Sequence, residues 1–330
     1  MKTTWKPSLA IMAAGCFLFS AISESIAFDG CGHKVVAALA FDRIENPNTL
    51  RALARIFRAD LRGRKFVDAA TWPDDIKSNM RNDLPEKAPV NRSWHFVDIP
   101  FHEKDEKKID EIINRPGVVV DPQHDGSANA VTAIRFFITR LKSGEGDATR
   151  QADDLSWLIH LVGDIHQPLH AINVEQGDSL PNYTPPPVVT RNGKKSGGDR
   201  GGNGFDVETP AKELHAVWDD LFDEPTGGHG EGRDDSDANA EQIAHALEAK
   251  IRNGKLSVPE DGAKDLEPAH WAKESYEHRE FVYSPEQDPA NPKNHIVTDA
   301  YMDKAREIGE GRVTLAGARL AKILDDIFGH

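Results

Sequence analysis

Four residues able to do acid–base or metal chemistry fall within eleven positions: His160, Asp164, His166 and His170, in the stretch LSWLIHLVGDIHQPLHAI from Leu155 to Ile172. His160 and Asp164 are four apart, so a helix places them on one face. Leu155, Trp157, Leu158, Ile159, Leu161, Val162 and Ile165 surround them. A helix that is apolar nearly all round is a buried helix. Imidazole and carboxylate are costly there unless they pair or bind metal. The stretch alone therefore admits two readings, a buried His–Asp hydrogen bond or part of a metal site. Pro168 disfavours the α conformation at Gln167, which ends or kinks the helix and lets His170 approach from another direction. The spacing recurs in PAKELHAVWDDLF, where His215 and Asp219 are again four apart. His33, Asp74 and His95 also stand in apolar or turn contexts. His166 points away from the His160/Asp164 face, and without it these give five imidazoles and three carboxylates, a donor set that suits zinc.

Positioning such a set is a task for helices. The 3.6-residue period predicts helices beginning at Lys34 and spanning Asn46 to Phe57, Lys107 to Asn114, Ala128 to Leu141, Pro210 to Phe222, Glu241 to Ile251, Pro268 to Phe281 and Asp299 to Phe328. Asp68 to Asp75 joins a short apolar piece to an acidic turn, and Trp94 to Pro100 is a short extended or turn segment. Residues 173–206 read as one long loop with a Gly-rich tail, Gly197 to Gly204, and a second loop covers Gly227 to Asn239. Convincing strands and internal repeats are lacking. The expected fold is all-α, a single mainly helical domain over residues 28–330.

Residues 1–27 have a different character. Lys2 and Lys6 precede an apolar run from Leu9 to Ile22, followed by Ser25-Ile26-Ala27. A basic start, an apolar stretch and small residues at −3 and −1 read as a signal peptide cleaved after Ala27, implying a secreted or periplasmic protein. The run is too short and interrupted for a membrane span. A lipoprotein cut before Cys16 is disfavoured, because apolar residues Phe17, Leu18 and Phe19 continue past it. Cleavage removes Lys2, Lys6 and Glu24, moving the net charge from −14 to −15. That is a poor global field for a polyanion, so chemistry on nucleic acid would need a local positive centre, which bound metal can supply. The mature chain keeps one cysteine, Cys31, which rules out an intrachain disulfide. Asn91-Arg92-Ser93 and Asn182-Tyr183-Thr184 match glycosylation sequons.

Seven motifs, in order, carry a resemblance. They are Phe28 to His33 (aromatic-x-x-x-G-H), Ala70 to Asp74 (ATWPD), Trp94 to Asp98 (WHFVD), His160 to His170 (HLVGDIHQPLH), Gly201 to Asn203 (GGN), Leu214 to Asp219 (LHxxWD) and Ala316 to Ala321 (AGARLA). Together they span nearly the whole mature chain. On them the sequence resembles the S1/P1 nuclease family of zinc-dependent, single-strand-preferring nucleases and 3′-nucleotidases, and more distantly zinc-dependent phospholipase C. The resemblance implies three zinc ions. One would be held by Asp74, His95, His160 and Asp164. A second would be held by His33, the bridging Asp164, and the amine and carbonyl of the mature first residue, Phe28. A third would be held by His170, His215 and Asp219. With three carboxylates, the cluster would carry about +3 before any bound hydroxide.

The same resemblance implies attack on phosphorus by a metal-bound hydroxide, with Asp74 and Asp164 at the catalytic centre and 5′-phosphates as products. Its expected partners are single-stranded DNA, RNA and nucleotides, with no stable membrane association and a monomeric chain. The chain departs from the family twice. Phe28 replaces Trp, and Lys77 stands where the family has Arg, which keeps the charge but loses the bidentate fork. Phe96 and Asn203 are candidates for substrate contact, and Asp98 for orienting a ligand. His166 is expected to be a hydrogen-bonded support, Asp75 a solvated carboxylate and Cys31 a packing residue. His102, His124, His229, His245, His270, His278, His295 and His330 lack ligand spacing and are expected at the surface. The competing functions are a zinc phospholipase C, and a non-catalytic zinc-stabilised secreted binding protein.

Overall fold

The helix at the centre of the protein is Ala148–His166, and every residue of it from Asp154 to His166 is buried. A computed structural model describes residues 30–77, 92–120, 127–178, 180, 183–185, 189–191, 194–209, 211–222 and 236–330. Phe28, the segment before it, and Asn91 and Asn182 of the two sequons lie outside these residues. Among the described residues twelve α-helices follow in order. They are α1 (Gly30–Arg43), α2 (Pro47–Ala59), α3 (Trp72–Lys77), α4 (Glu106–Asn114), α5 (Ala130–Ser143), α6 (Ala148–His166), α7 (Leu214–Asp219), α8 (Asp237–Arg252), α9 (Glu260–Lys264), α10 (Pro268–Glu277), α11 (Arg279–Val282) and α12 (Asp299–Phe328). The fold is all-α.

Local chemistry fixes several of the ends. Asn46 caps α2 just before Pro47, and Asn129 and Thr132 form a reciprocal capping box on α5. Asp147 accepts from the Arg150 amide to start α6. Gln167 takes an extended conformation, as the residue before a proline should, and α6 stops there. The chain then turns through the 3-10 segment Pro168–His170.

Among the described residues, strand is confined to three two-stranded pairs. β1 (Ile99–Pro100) pairs in parallel with β2 (Ile172–Asn173). β3 (Val189–Arg191) pairs with β4 (Lys194–Ser196), and β5 (Glu286–Gln287) with β6 (His295–Ile296), both antiparallel. The first pair tethers the segment after His95 to the segment after His170.

Four expected helices differ in extent: α1 begins at Gly30 rather than Lys34, and α8 at Asp237 rather than Glu241, within the loop expected to run to Asn239. The one expected from Pro210 to Phe222 begins only at Leu214, because Lys212 has a φ of +63° and Leu214 donates to the Phe205 carbonyl. The one expected from Pro268 to Phe281 divides at His278 into α10 and α11. The acidic turn expected around Asp74 is instead the first turn of α3.

α6 is packed round by α1, α2, α5, α10 and α12. α1 in turn lies closely against α12, and Gly317 is why it can. A Cβ placed there would sit 2.6 Å from the Leu39 Cβ and 3.3 Å from the Ala40 nitrogen. Gly317→Ala must therefore push α1 and α12 apart. The expected cost is about 1–3 kcal/mol, read as a fall of at least ~2 °C in the melting temperature. An unchanged melting temperature would show that the contact can relax freely.

Candidate metal centre

Eight side chains from six elements converge on one face of α6 and its C-terminal turn. His33 comes from the first turn of α1, Asp74 from α3, and His95 from the 3-10 turn Arg92–His95. His160 and Asp164 lie on α6 itself, His170 ends the 3-10 turn beyond Pro168, and His215 and Asp219 occupy α7. None of the eight is more than 6% exposed. Their ligand atoms form groups close enough to hold metal ions: His33 with Asp74 and His160, His95 with His160 and Asp164, and His170 with His215 and Asp219.

The facing atoms of Asp74, His95, His160 and Asp164 have near-tetrahedral spacing. His160 Nε2 lies 3.0 Å from His95 Nδ1, 3.3 Å from Asp164 Oδ2 and 3.6 Å from Asp74 Oδ1. His95 Nδ1 is 3.0 Å from Asp164 Oδ2 and 3.8 Å from Asp74 Oδ1. Ligands at about 2.0–2.1 Å from a tetrahedral zinc are about 3.3–3.4 Å apart, so these distances bracket that edge length. The other oxygen of Asp164 faces elsewhere. Oδ1 is 3.4 Å from His33 Nε2, so one carboxylate looks toward two sets of imidazoles. His33 gets this close because α6 has glycine at position 163. A Cβ there would stand 2.7 Å from the His33 Nδ1. Both His33 ring nitrogens are buried without a hydrogen bond among the described residues.

Backbone carbonyls set the tautomers. His160 Nδ1 is 2.8 Å from the Ala70 carbonyl oxygen. His170 Nδ1 faces the His95 carbonyl, and His215 Nδ1 the Gly201 carbonyl. A carbonyl only accepts, so in each ring Nδ1 carries the proton and Nε2 presents a lone pair. His170 Nε2 and His215 Nε2 are then two acceptors facing one another at 3.2 Å, with Asp219 Oδ2 3.5 Å from the latter. Such an arrangement repels unless a cation or an added proton lies within it. A buried donor set of lone pairs and carboxylates fits a divalent metal, and the reading as a simple His–Asp hydrogen bond leaves the facing lone pairs unexplained. Gln167 completes the third group, donating from Nε2 to Asp219 Oδ1 at 2.9 Å and leaving Oδ2 toward His215.

The other residues singled out in the sequence divide. Lys77 closes α3, and its side chain lies outside the described residues. Phe96 is half-buried beside His95, and Asn203 is half-buried with its amide donating to the Arg200 carbonyl at 2.7 Å. His166 is the expected support: it is fully buried, its Nδ1 faces the Val162 carbonyl and its Nε2 accepts from Arg319 Nη1 at 2.8 Å. Burial and the neighbouring Arg312 and Arg319 hold its pKa well below the usual range. Cys31 is buried as expected. His102, His245, His270 and His330 are exposed and His278 is half-buried, whereas His124 and His229 lie outside the described residues. His295 corrects the surface expectation. It is 2% exposed, stacked on Phe205 with ring centroids 3.8 Å apart, because β6 carries it into the interior. The acceptor carbonyls of Ala70, His95 and Gly201 were not found from sequence, since a backbone atom leaves no residue-type signal, and neither was Gln167, whose side chain meets Asp219 from 52 positions away.

The profile of a family described as S1/P1 Nuclease matches residues 29–329 of the chain. The chain is 25% identical over 308 residues to Nuclease S1 of Aspergillus oryzae, covering 89% of each protein. It is 24% identical over 324 residues to Endonuclease 3 of Arabidopsis thaliana, covering 93% of this chain and 91% of that one. Among solved structures, an alpha toxin from Clostridium absonum aligns with a TM-score of 0.41 at 16% identity, covering 92% of this chain and 67% of the toxin.

Asp98, in the WHFVD motif, has a left-handed backbone with a φ of 58°. Burial pushes its carboxyl up to about 7, opposed by Arg115 and helped by Asp199 and Glu175. The folded state therefore holds the proton more tightly than the unfolded chain. The stability associated with that proton is present at low pH and is lost as the pH rises from about 4 to about 7. Asp98→Asn keeps a residue that tolerates this φ and removes the desolvated charge. It is expected to stabilise the protein by on the order of 2 kcal/mol at pH 8, with less than half the gain at pH 5. A gain independent of pH, measured by thermal melts at both values, would contradict the assignment.

Proposed function

Because the chain belongs to the S1/P1 nuclease family, hydrolases acting on ester bonds, we propose that it cleaves single-stranded DNA and RNA to 5′-phosphorylated products and removes 3′-phosphates from nucleotides. The observation that carries the reading is the facing set of buried imidazole nitrogens and carboxylate oxygens around Asp164 and around His170–His215. Three zinc ions bound there would act as Lewis acids and bring the pKa of water to about 7.

The residues of the chain have separate tasks in this reading. Asp164 would help to hold two of the ions. Asp74, His95 and His160 complete one position. His33 contributes to the next, where the amine and carbonyl of Phe28 become available once the chain is cut after Ala27. His170, His215 and Asp219 would hold the third. Three carboxylates against three divalent ions leave a local positive centre of about +3, which recruits a polyanion to a chain whose net charge is −14. Lys77, three positions after Asp74, would add positive charge beside a phosphate, and Phe96, next to His95, and Asn203, next to Gly202, would be the candidates to meet a base.

The address follows from the same assignment. No helix among the described residues is long and apolar enough to cross a membrane, and the basic, apolar and small-residue run ending at Ala27 supports secretion or export to a periplasm. The working unit is then residues 28–330, acting as a monomer.

The test is hydrolysis of single-stranded DNA and RNA by the exported protein, before and after chelation. Release of 5′-nucleotides should stop with chelator and return with zinc. Asp164→Asn should lower the rate more than about 100-fold, while His229→Ala leaves it unchanged. A faster reaction on phosphatidylcholine would reassign the protein as a phospholipase C. Full metal loading with no phosphodiesterase activity would make it a zinc-stabilised binding protein.

A further inference from the structure

The Gly-rich loop contains a buried acid that the proposed chemistry does not use. Asp199 is 0% exposed and starts the segment Asp199 to Gly204. Three consecutive residues after it have positive φ: Arg200 at 56°, Gly201 at 64° and Gly202 at 84°. That run is strained at Arg200, which is not glycine, so something must hold it.

The Asp199 carboxylate does so. Its Oδ1 accepts from the Val174 amide at 2.9 Å, at the end of β2. Its Oδ2 accepts from the Gly202 amide at 2.9 Å and from the Tyr283 hydroxyl just after α11. Burial and the adjacent Asp199 hold the Tyr283 phenol well above its usual range, so it is the donor. The segment also closes on itself, the Gly204 amide donating to the Asp199 carbonyl at 2.9 Å. Asn173 accepts the Arg200 amide at 3.0 Å.

What the loop presents is a backing for two histidines. The Gly201 carbonyl accepts from His215 Nδ1. A Cβ on Gly201 would lie 2.3 Å from the Leu169 carbonyl oxygen, so the loop backbone rests directly on the turn that carries His170. A Cβ on Gly202 would lie 3.2 Å from the His215 amide nitrogen. One backbone segment therefore fixes the ring of His215 and supports the turn of His170. The Asp74, His95 and His160 group receives none of these contacts.

We infer that Asp199 is a positioning residue for one metal position only, the one formed by His170, His215 and Asp219, which it serves by locking the 199–204 loop against both histidines. The inference rests on the three-zinc reading above. An amide in place of the carboxylate can accept through only one oxygen, and its NH₂ would face backbone donors. Asp199→Asn thus frees the loop without emptying the space it fills.

The test measures zinc per chain in the exported protein across a series of chelator-buffered free zinc concentrations, for the wild type, Asp199→Asn and Tyr283→Phe. Thermal melts of each chelated protein are recorded alongside. In Asp199→Asn one of three zincs should dissociate at about 10- to 100-fold higher free zinc, with the other two unchanged. Tyr283→Phe, which removes one of three donors, should shift the same zinc by less. Wild-type retention of all three ions in both variants would overturn the inference. So would an equal weakening of all three, which marks general loosening. If Asp199→Asn does not fold, Tyr283→Phe decides by the same criteria. If the wild type itself binds fewer than three zincs, the three-zinc reading fails and this inference falls with it.

Discussion

A fully buried carboxylate, Asp164, is the constraint around which the molecule is arranged. An isolated charge in that position would cost many kcal/mol, and one proton could not satisfy both of its oxygens. Oδ2 looks toward His95 and His160, and Oδ1 toward His33. His95 can donate to Oδ2 through Nδ1, but backbone carbonyls take the Nδ1 protons of His160 and His170, so those two rings turn Nε2 to the centre as an acceptor. Cations resolve the acid and the facing lone pairs together. The centre is thus a donor set that suits divalent metal.

Holding such a centre requires rigid elements in several directions, and the helices supply them. α6 provides two groups at one spacing and is enclosed along its length. Pro168 breaks it so that His170 returns toward α7, while α1 brings His33 over the bare face at Gly163. Behind α6, Arg312 donates to the His166 carbonyl and Arg319 to the His166 ring, and both bind Glu274. Burial of this network on α12 anchors the end of the ligand helix from the side away from the centre. The AGARLA motif has its place here, Gly317 in the contact with α1 and Arg319 in the contact with His166.

Much of this was legible in the residues. The all-apolar surroundings of His160 and Asp164 foretold a buried helix, and the i, i+4 spacing foretold their shared face. Pro168 foretold the break. The late start of α7 was not legible, because it depends on the Lys212 backbone and on a hydrogen bond from Leu214 to a residue nine positions earlier. His295 was misplaced at the surface, since a two-residue strand and a stack on Phe205 bury it and neither has a periodic signal. The supporting layer escaped for a similar reason. Ala70, His95 and Gly201 act through carbonyls that any residue would offer, and Asp199 acts on backbone amides. Motifs expose the side chains that cluster more readily than the groups that aim them.

The central claim is that the eight buried residues hold three zinc ions rather than a network of protonated histidines. Anomalous diffraction from crystals of the exported protein, collected above and below the zinc absorption edge, tests it most directly. Three peaks are expected: one among Asp74, His95, His160 and Asp164, one between Asp164 and His33, and one among His170, His215 and Asp219. The absence of peaks, with Asp164 bound only by hydrogen bonds from His95 and His160, would contradict it.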